Sequence, residues 1–202
     1  DVPLFNQQID DLNQGKEVYL ARFDFVTGHR HFDDKPTVLE KGQPIVVEGL
    51  HALNDSLTYM LPRYEKVKIS LGVLTQIRIN DHNRISTSDT RIIRRMVRDQ
   101  QFRDRGPMAT MDIWADVRRG EEKNIYPYQE DADTIFNTAL PYELSVLKPY
   151  AEPLLESIDK GSVHYAEARR LLRFLKPFKG IDSSVVPPNS LLREFIGPDR
   201  KK

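Results

Sequence analysis

The sequence predicts an α/β domain whose mostly parallel sheet is flanked by helices. The first indication is the run 45–50, IVVEGL, where three consecutive β-branched residues are set off by a proline and glycines. That pattern is typical of a strand buried on both faces of a parallel sheet. Further strands are expected within 63–71, where apolar and polar residues alternate, and at 134–136. The clearest helix is 164–176, in which alanine, leucine and arginine recur at helical spacing.

The composition fits one α/β domain, or one domain with appendages. The chain has 202 residues, 39% of them hydrophobic and 30% charged. Lysine plus arginine equals aspartate plus glutamate at 30 each, so the net charge gives no global case for nucleic-acid binding. The absence of cysteine excludes disulfides, thiolate metal sites and cysteine nucleophiles. Without a signal peptide or a membrane span, we expect a cytoplasmic protein, and the start at Asp1 suggests a processed product or a fragment.

An initial helix and a hairpin are expected before residue 33. Leu4, Phe5, Ile9 and Leu12 recur at helical spacing, and the segment 16–32 then alternates with period two around a glycine-containing turn. Phe23 and Phe25 fall on one face of the first strand, and His29 begins the second extended piece. Two such rings could stack a planar base while neighbouring polar groups bind its edge. The residues alone favour the alternative, in which both rings belong to the core.

Glu48 is the candidate metal ligand. It follows the apolar residues of 45–50, and open α/β sheets bind ligands at the carboxyl ends of their strands. A carboxylate in that position could reach a hydrated Mg²⁺ held on the phosphates of a nucleotide. Glu48 could equally be no more than the polar end of a strand, and the residues leave both interpretations open.

An arginine-rich helix is expected within 86–106. A serine or threonine at 86–88 can cap it, and Asp89 favours its first turn. Arginine forks match phosphate oxygens, so such a helix could act as a lid that closes over a triphosphate. The alternatives are a solvated face paired with acids elsewhere and, less favoured because of the zero net charge, a nucleic-acid strip. The arginines are Arg91, Arg94, Arg95, Arg98, Arg103 and Arg105.

Together these motifs resemble the uridine kinase and phosphoribulokinase family over nearly all of residues 1–160. The tail NSLLREFIG and the residues HNRI resemble, more narrowly, a subgroup of long bacterial nucleoside kinases. The segments that carry the resemblance are 22–30 (the hairpin whose aromatic rings stack a pyrimidine), 46–49 (the strand whose glutamate helps hold Mg²⁺), 89–99 and 105–106 (the lid helix and its end), 126–127 and 132–135 (leading into the last strand), 82–85 and 189–197.

The sequence also departs from the family pattern. The family's phosphate-binding loop, glycine, four residues, glycine, lysine and a hydroxyl residue, does not occur between residues 1 and 202. The family's catalytic aspartate is expected upstream of Asp1. Gly28 occupies the position expected for the base-contacting histidine, and His29 follows it. These departures leave the pyrimidine specificity open.

The resemblance implies a partial P-loop kinase fold with a β-hairpin and an arginine-rich helical lid. Residues 1–160 would form the acceptor-binding and lid part, and 161–202 a C-terminal helix and tail packed on the same domain. The full-length protein would use ATP and Mg²⁺ to phosphorylate the 5′-hydroxyl of a uridine- or cytidine-like nucleoside. The implied roles are Mg²⁺ binding (Glu48), base stacking and contact (Phe23, Phe25, His29), substrate binding (Arg95, Arg98), nucleotide binding (Arg91, Arg94) and catalysis (Arg98, Arg105).

The chain alone is expected to be inactive, because it lacks the phosphate-binding loop. The family places that loop after a central strand, and without this strand the sheet edges beside 45–50 would invite pairing with another copy. The expected partners are a nucleoside, a nucleoside triphosphate and a second copy of the chain. We expect the chain to bind neither a membrane nor nucleic acid. The competing hypothesis is a degenerate kinase-like module that binds nucleotide, RNA or a protein partner.

Overall fold

The computed structural model describes residues 1–24, 27–78 and 84–198. Phe25 and the first two residues of the HNRI motif lie outside these ranges. The chain divides into two compact units. The first unit contains Asp1–Ser70 and Glu122–Thr134, and the second contains Leu71–Glu121 and the chain from Ile135 onward. No helix in the described ranges is long and apolar enough to cross a membrane.

Helices and short strands are mixed along the described chain. The helices are α1 (Val2–Asn13), α2 (Thr87–Phe102), α3 (Pro107–Asp112), α4 (Trp114–Asn124), α5 (Glu143–Glu156), α6 (Tyr165–Leu175) and α7 (Arg193–Ile196). The strands are β1 (Ala21–Asp24), β2 (His29–Phe32), β3 (Ile69–Gly72) and β4 (Thr134–Asn137). Short 3₁₀ turns occupy Asp55–Thr58, Arg63–Glu65, Tyr126–Tyr128 and Ser183–Val185.

The predicted N-terminal helix is confirmed as α1. Its first turn is capped by Asp1, whose Oδ1 accepts a hydrogen bond from the backbone N of Leu4 at 3.1 Å. Asn6 is buried and ties the helix to a later loop. Its Nδ2 donates to the Leu57 carbonyl at 2.9 Å, and its Oδ1 accepts from the Met60 N at 3.2 Å. The buried amide therefore has partners on both sides, as a buried polar group requires.

The predicted buried strand at 45–50 is wrong. The segment belongs to neither sheet of the described chain, and both of those sheets have only two strands. Val46 is 86% exposed and Leu50 is 77% exposed. A strand buried on both faces needs hydrogen-bonded neighbours and helices that cover it. Without them, the apolar pattern of 45–50 stays at the surface, and Glu48 does not end a strand.

A small parallel sheet is formed by β3 and β4. The Lys68 carbonyl accepts from the Thr134 N at 3.3 Å, and the Gly72 carbonyl accepts from the Thr138 N at 2.8 Å. The pairing advances in the same direction along both strands, which makes the pair parallel. Asp133 fixes the start of the pairing, because its Oδ2 accepts from the Lys68 N at 2.7 Å. The hydrogen bond from Arg63, followed by that from Lys68, lowers the pKa of the Asp133 carboxyl.

The core of the second unit lies between α2, α5, α6 and α7. Ser86 caps α2, with its Oγ accepting from the Asp89 N at 3.3 Å. Two predicted helices are confirmed: the arginine-rich helix is α2, and the helix expected at 164–176 is α6. The fully buried side chains of this core come from all four helices or their flanks: Ile93, Met96, Val97, Val146, Leu147, Ala151, Leu171, Leu175 and Leu192.

Helix α5 continues through two prolines. Pro149 and Pro153 both lie inside this one helix. Each proline removes one backbone hydrogen bond from the helix interior. The fully buried residues Leu147 and Ala151 supply compensating apolar contacts on the core face of the same turns.

A buried ion pair joins α2 to α5. Arg94 and Glu143 are only 6% and 2% exposed, and Arg94 Nε donates to Glu143 Oε2 at 3.1 Å. Arg94 Nη2 also donates to the Thr138 carbonyl at 2.8 Å, and its guanidinium carbon lies 5.1 Å from the Phe195 ring centroid. Burial raises the pKa of the Glu143 carboxyl, while the charge and hydrogen bonds of Arg94 act in the opposite direction. Each charge in this pair depends on the other for its counter-charge.

Glu143→Ala is expected to destabilise the chain by about 3–5 kcal/mol, because it leaves the Arg94 charge buried without its carboxylate. Urea unfolding measures this loss. The matched control is Glu152→Ala, which breaks a partly exposed i,i+4 pair with Lys148 at 3.4 Å and should cost about 1 kcal/mol or less. Similar losses in the two variants would contradict the structural role of the buried pair.

Candidate functional site

The predicted site residues fall into two groups, one in each unit. Phe23, His29 and Glu48 belong to the first unit, and Phe25 lies outside the described residues. The predicted arginines belong to the second unit, on α2 or just after it: Arg91, Arg94, Arg95, Arg98 and Arg105.

The hairpin of β1 and β2 separates Phe23 from His29. Its antiparallel register pairs Phe23 with Arg30 and Asp24 with His29. Paired residues point to the same face of a sheet, and neighbours along a strand point to opposite faces. Phe23 therefore shares its face with Arg30 and Phe32, whereas His29 lies on the other face. A planar base stacked on Phe23 would meet Arg30 rather than His29.

This hairpin face carries exposed rings next to a cation. Phe23 is 56% exposed and Phe32 is 48% exposed. The Arg30 guanidinium carbon lies 5.7 Å from the Phe32 ring centroid, and the same side chain forms an ion pair with Asp1. Such a face offers stacking surface and hydrogen-bond donors to a flat ligand. Arg30 was among the polar neighbours expected to bind the edge of a base. The sequence reasoning missed Phe32, although the period-two alternation continued into β2 would have placed it with Phe23.

Glu48 is exposed and stands in an irregular segment. In the part of the chain that the structure describes, no group of three or more histidine, aspartate or glutamate side chains could hold a metal ion. Mg²⁺ in kinases is commonly held by one or two carboxylates together with substrate phosphates and waters. The role of Glu48 as a contact to Mg²⁺ stays a prediction.

Asp99 gathers arginines at the end of α2. It is fully buried, and its Oδ1 accepts from Arg103 Nη1 at 2.9 Å. Arg95 Nε lies 3.4 Å from Asp99 Oδ2, within range of charge attraction but without hydrogen-bond geometry. The Asp99 carbonyl also accepts from the backbone N of Arg103 and of Arg105, at 3.0 and 3.2 Å. We call Arg95, Arg98, Arg103 and Arg105 the arginine cluster.

The four positive charges of the arginine cluster exceed the single negative charge of Asp99. Burial lowers the pKa of Arg95 from its usual value, and the nearby cations of Arg103, Arg98 and Arg105 lower it further, against the attraction of Asp99. The Nε atoms of Arg95 and Arg98 are buried and have no hydrogen-bond acceptor among the described residues. A polyanion would relieve the repulsion and could accept hydrogen bonds from these guanidinium groups.

The carboxylate that pairs with Arg98 comes from the C-terminal segment. Arg98 Nη1 donates to Glu194 Oε1 of α7 at 2.9 Å. The Arg98 side chain is 27% exposed and that of Glu194 is 51% exposed, so this pair is open to solvent. Sequence reasoning could not find Glu194 as a partner, because 96 positions separate it from Arg98.

Arg91 and Arg94 have different surroundings from the arginine cluster. Arg91 forms an ion pair with the buried carboxylate of Glu121 on α4. Arg94 is the buried partner of Glu143 described above. These contacts give both side chains carboxylate partners in this conformation. The predicted contacts of Arg91 and Arg94 with a nucleotide stay a prediction.

Two shallow clefts in the second unit contain none of the predicted site residues. Residues 149–150 and 180–183 line the first. The second is lined by residues from 136–142 and 187–191. Neither cleft brings charged groups together as the arginine cluster does.

Guanidinium groups gathered in this way can bind phosphate oxygens. A family model described as Phosphoribulokinase / Uridine kinase family matches residues 1–144. The chain therefore belongs to the phosphoribulokinase/uridine kinase family, which is a family of kinases. The comparisons with curated proteins and with solved structures found no match.

Proposed function

We propose that this chain provides the acceptor-binding and lid parts of a nucleoside kinase. The reaction is transfer of the γ-phosphoryl group of ATP to the 5′-hydroxyl of a uridine- or cytidine-like nucleoside. Membership of a kinase family supports the reaction class. The observation that carries the proposal is the arginine cluster, in which several guanidinium cations lie near one another around the buried carboxylate of Asp99.

The arginine cluster serves the phosphates in this proposal. Phosphoryl transfer depends mostly on positioning and on stabilising the charge of the transferring group. Arg95 and Arg98 hold the phosphates and the substrate, and Arg105 stabilises charge in the transition state. Asp99 keeps Arg95 and Arg103 side by side, so the positive charges are assembled before the ligand arrives.

The hairpin face serves the nucleoside. Phe23 supplies the stacking surface, and its position beside Arg30 and Phe32 supports this role. The assignment of Phe25 to the same platform stays a prediction. The role of His29 also stays a prediction, and the register indicates that it would act from the opposite face of the hairpin.

In this proposal, Mg²⁺ binds together with the nucleotide. Bound Mg²⁺ would neutralise charge on the β- and γ-phosphates. Glu48 would order this ion through a water molecule, in keeping with its exposed carboxylate.

The 202 residues contain no phosphate-binding loop of the form G-x-x-x-x-G-K-S/T. We propose that this chain alone binds the substrates without turning them over. The same observation favours a second candidate function, a degenerate kinase-like module that binds a nucleotide, RNA or a protein partner. An enzyme would lose turnover when the arginine cluster is removed, whereas a scaffold would keep its partner.

Arg95→Ala combined with Arg98→Ala is expected to weaken binding of MgATP to this chain by at least about tenfold, because two charged hydrogen-bond donors are lost. Isothermal titration calorimetry at low ionic strength measures the binding. In the longest natural form of the protein, the same double variant should lose phosphorylation of uridine.

The matched control for this experiment is Arg119→Ala. Arg119 lies on α4 with a side chain 71% exposed, paired with Asp116. The Arg119→Ala substitution removes a surface arginine of the same unit and should leave MgATP binding unchanged. Unchanged binding in the double variant, or phosphorylation of uridine by the purified 202-residue chain, would contradict the proposal.

Phe23→Ala is expected to weaken uridine binding by about five- to a hundredfold, the range that corresponds to the loss of one base–aromatic stack. Phe23→Tyr keeps the ring and should bind as the unchanged chain does. Nuclear magnetic resonance titration of the chain with uridine measures both. Tyr64→Ala, which removes a ring 86% exposed elsewhere in the first unit, is the control. Equal affinities for the unchanged chain and Phe23→Ala would rule out the proposed platform.

A further inference from the structure

Arg98 of the arginine cluster is already occupied by an anion of the chain itself. Glu194 supplies this carboxylate, and it lies outside residues 1–144, the part that matches the family model. We propose that Glu194 is an internal competitor that sets the affinity of the arginine cluster for polyphosphate. The inference deepens the proposed function and rests on it, since it concerns access to the same phosphate-binding arginine.

The backbone that carries Glu194 is firmly seated. Leu192, Phe195 and Ile196 are 0%, 5% and 5% exposed and pack into the core of the second unit. Arg193 holds the same turn from the other side, because its Nη2 donates to the Ser183 carbonyl at 3.0 Å. Helix α7 therefore keeps Glu194 within reach of Arg98 while the surrounding residues stay packed.

The Glu194 side chain can leave Arg98 without unfolding α7. Its side chain is 51% exposed, so water can replace the guanidinium as its partner. The pair of Arg94 with Glu143 offers a contrast within the same helix, because both of its members are almost completely buried. Arg98 thus carries an exchangeable partner, whereas Arg94 carries a fixed one.

A phosphate and Glu194 compete for the same donors. Guanidinium N–H groups bind carboxylate and phosphate oxygens in the same forked geometry. Two anions crowded at one guanidinium would repel each other, so a bound phosphate displaces the carboxylate. The affinity for polyphosphate is then lower than the arginines alone would give, by the free energy of the Arg98–Glu194 pair.

The test uses inorganic tripolyphosphate, which has no base or sugar, and measures its dissociation constant for the 202-residue chain by calorimetry at low ionic strength. Glu194→Gln and Glu194→Ala should lower this dissociation constant by about two- to fivefold, the range expected for a solvent-accessible ion pair. Glu194→Asp keeps the charge and should remain closer to the unchanged chain. A merely structural role for Glu194 predicts the opposite direction, since disturbing α7 would weaken binding.

Two further variants separate local competition from general charge. Glu156→Gln removes an exposed carboxylate of α5 that forms no ion pair among the described residues, and it should change the affinity little. Glu194→Gln in an Arg98→Ala background should have no effect, because the guanidinium for which the anions compete is gone. A full effect of Glu194→Gln in that background would overturn the inference.

The outcomes distinguish the inference from the proposed function. Tripolyphosphate binding that weakens in Arg98→Ala but does not tighten in either Glu194→Gln or Glu194→Ala overturns the internal competitor and leaves the phosphate site standing. Binding that is absent from the unchanged chain and from both Glu194 variants overturns the phosphate site and the competitor together. Binding that appears or tightens only when the Glu194 carboxylate is removed supports both.

Discussion

A charged guanidinium buried in an apolar core must keep its counter-charge, and this constraint fixes helix α2. Arg94 is held by Glu143 of α5, by the Thr138 carbonyl and by the ring of Phe195 in α7. These contacts set the rotation of α2 about its axis. Arg95, Asp99 and Arg103 are neighbours because they follow one another at four-residue spacing, and the rotation of α2 directs Arg98 to Glu194. The helical spacing therefore brings these arginines together, and the anchoring of α2 decides which way they face.

The sequence predicts where the helices begin and end better than it predicts which partner each arginine contacts. Local signals were enough for α1, α2 and α6, because caps and apolar periodicity act within one helix. The segment 45–50 shows the limit of such signals. Its β-branched residues favour a strand, but a buried strand needs neighbours, and the described chain provides none there. Three arginines of α2, Arg91, Arg94 and Arg98, looked equivalent in sequence, yet each is paired with an acid 30 to 96 positions away.

Helix α2 lies within the residues that match the family model, but part of the core that supports it lies beyond them. The family model covers residues 1–144, which include all of α2. The helices that bury the apolar side of α2 come partly from beyond that match, with Leu171, Leu175 and Phe195 in the same core. The segment that supports the arginine helix thus also supplies Glu194, an anion directed at one of its arginines. The C-terminal segment therefore both packs against α2 and supplies the carboxylate that competes for Arg98.

Helix α2 is a fixed element that assembles its arginines before any ligand binds. Amide hydrogen exchange of the 202-residue chain can test this, because it reports the opening of each helix separately. We expect the amides of 92–97 to exchange only through global unfolding, while those of 45–50 exchange rapidly at the surface. Rapid exchange of 92–97 in a chain that is otherwise folded would contradict it, since a locally melting α2 could not hold the arginine cluster in place.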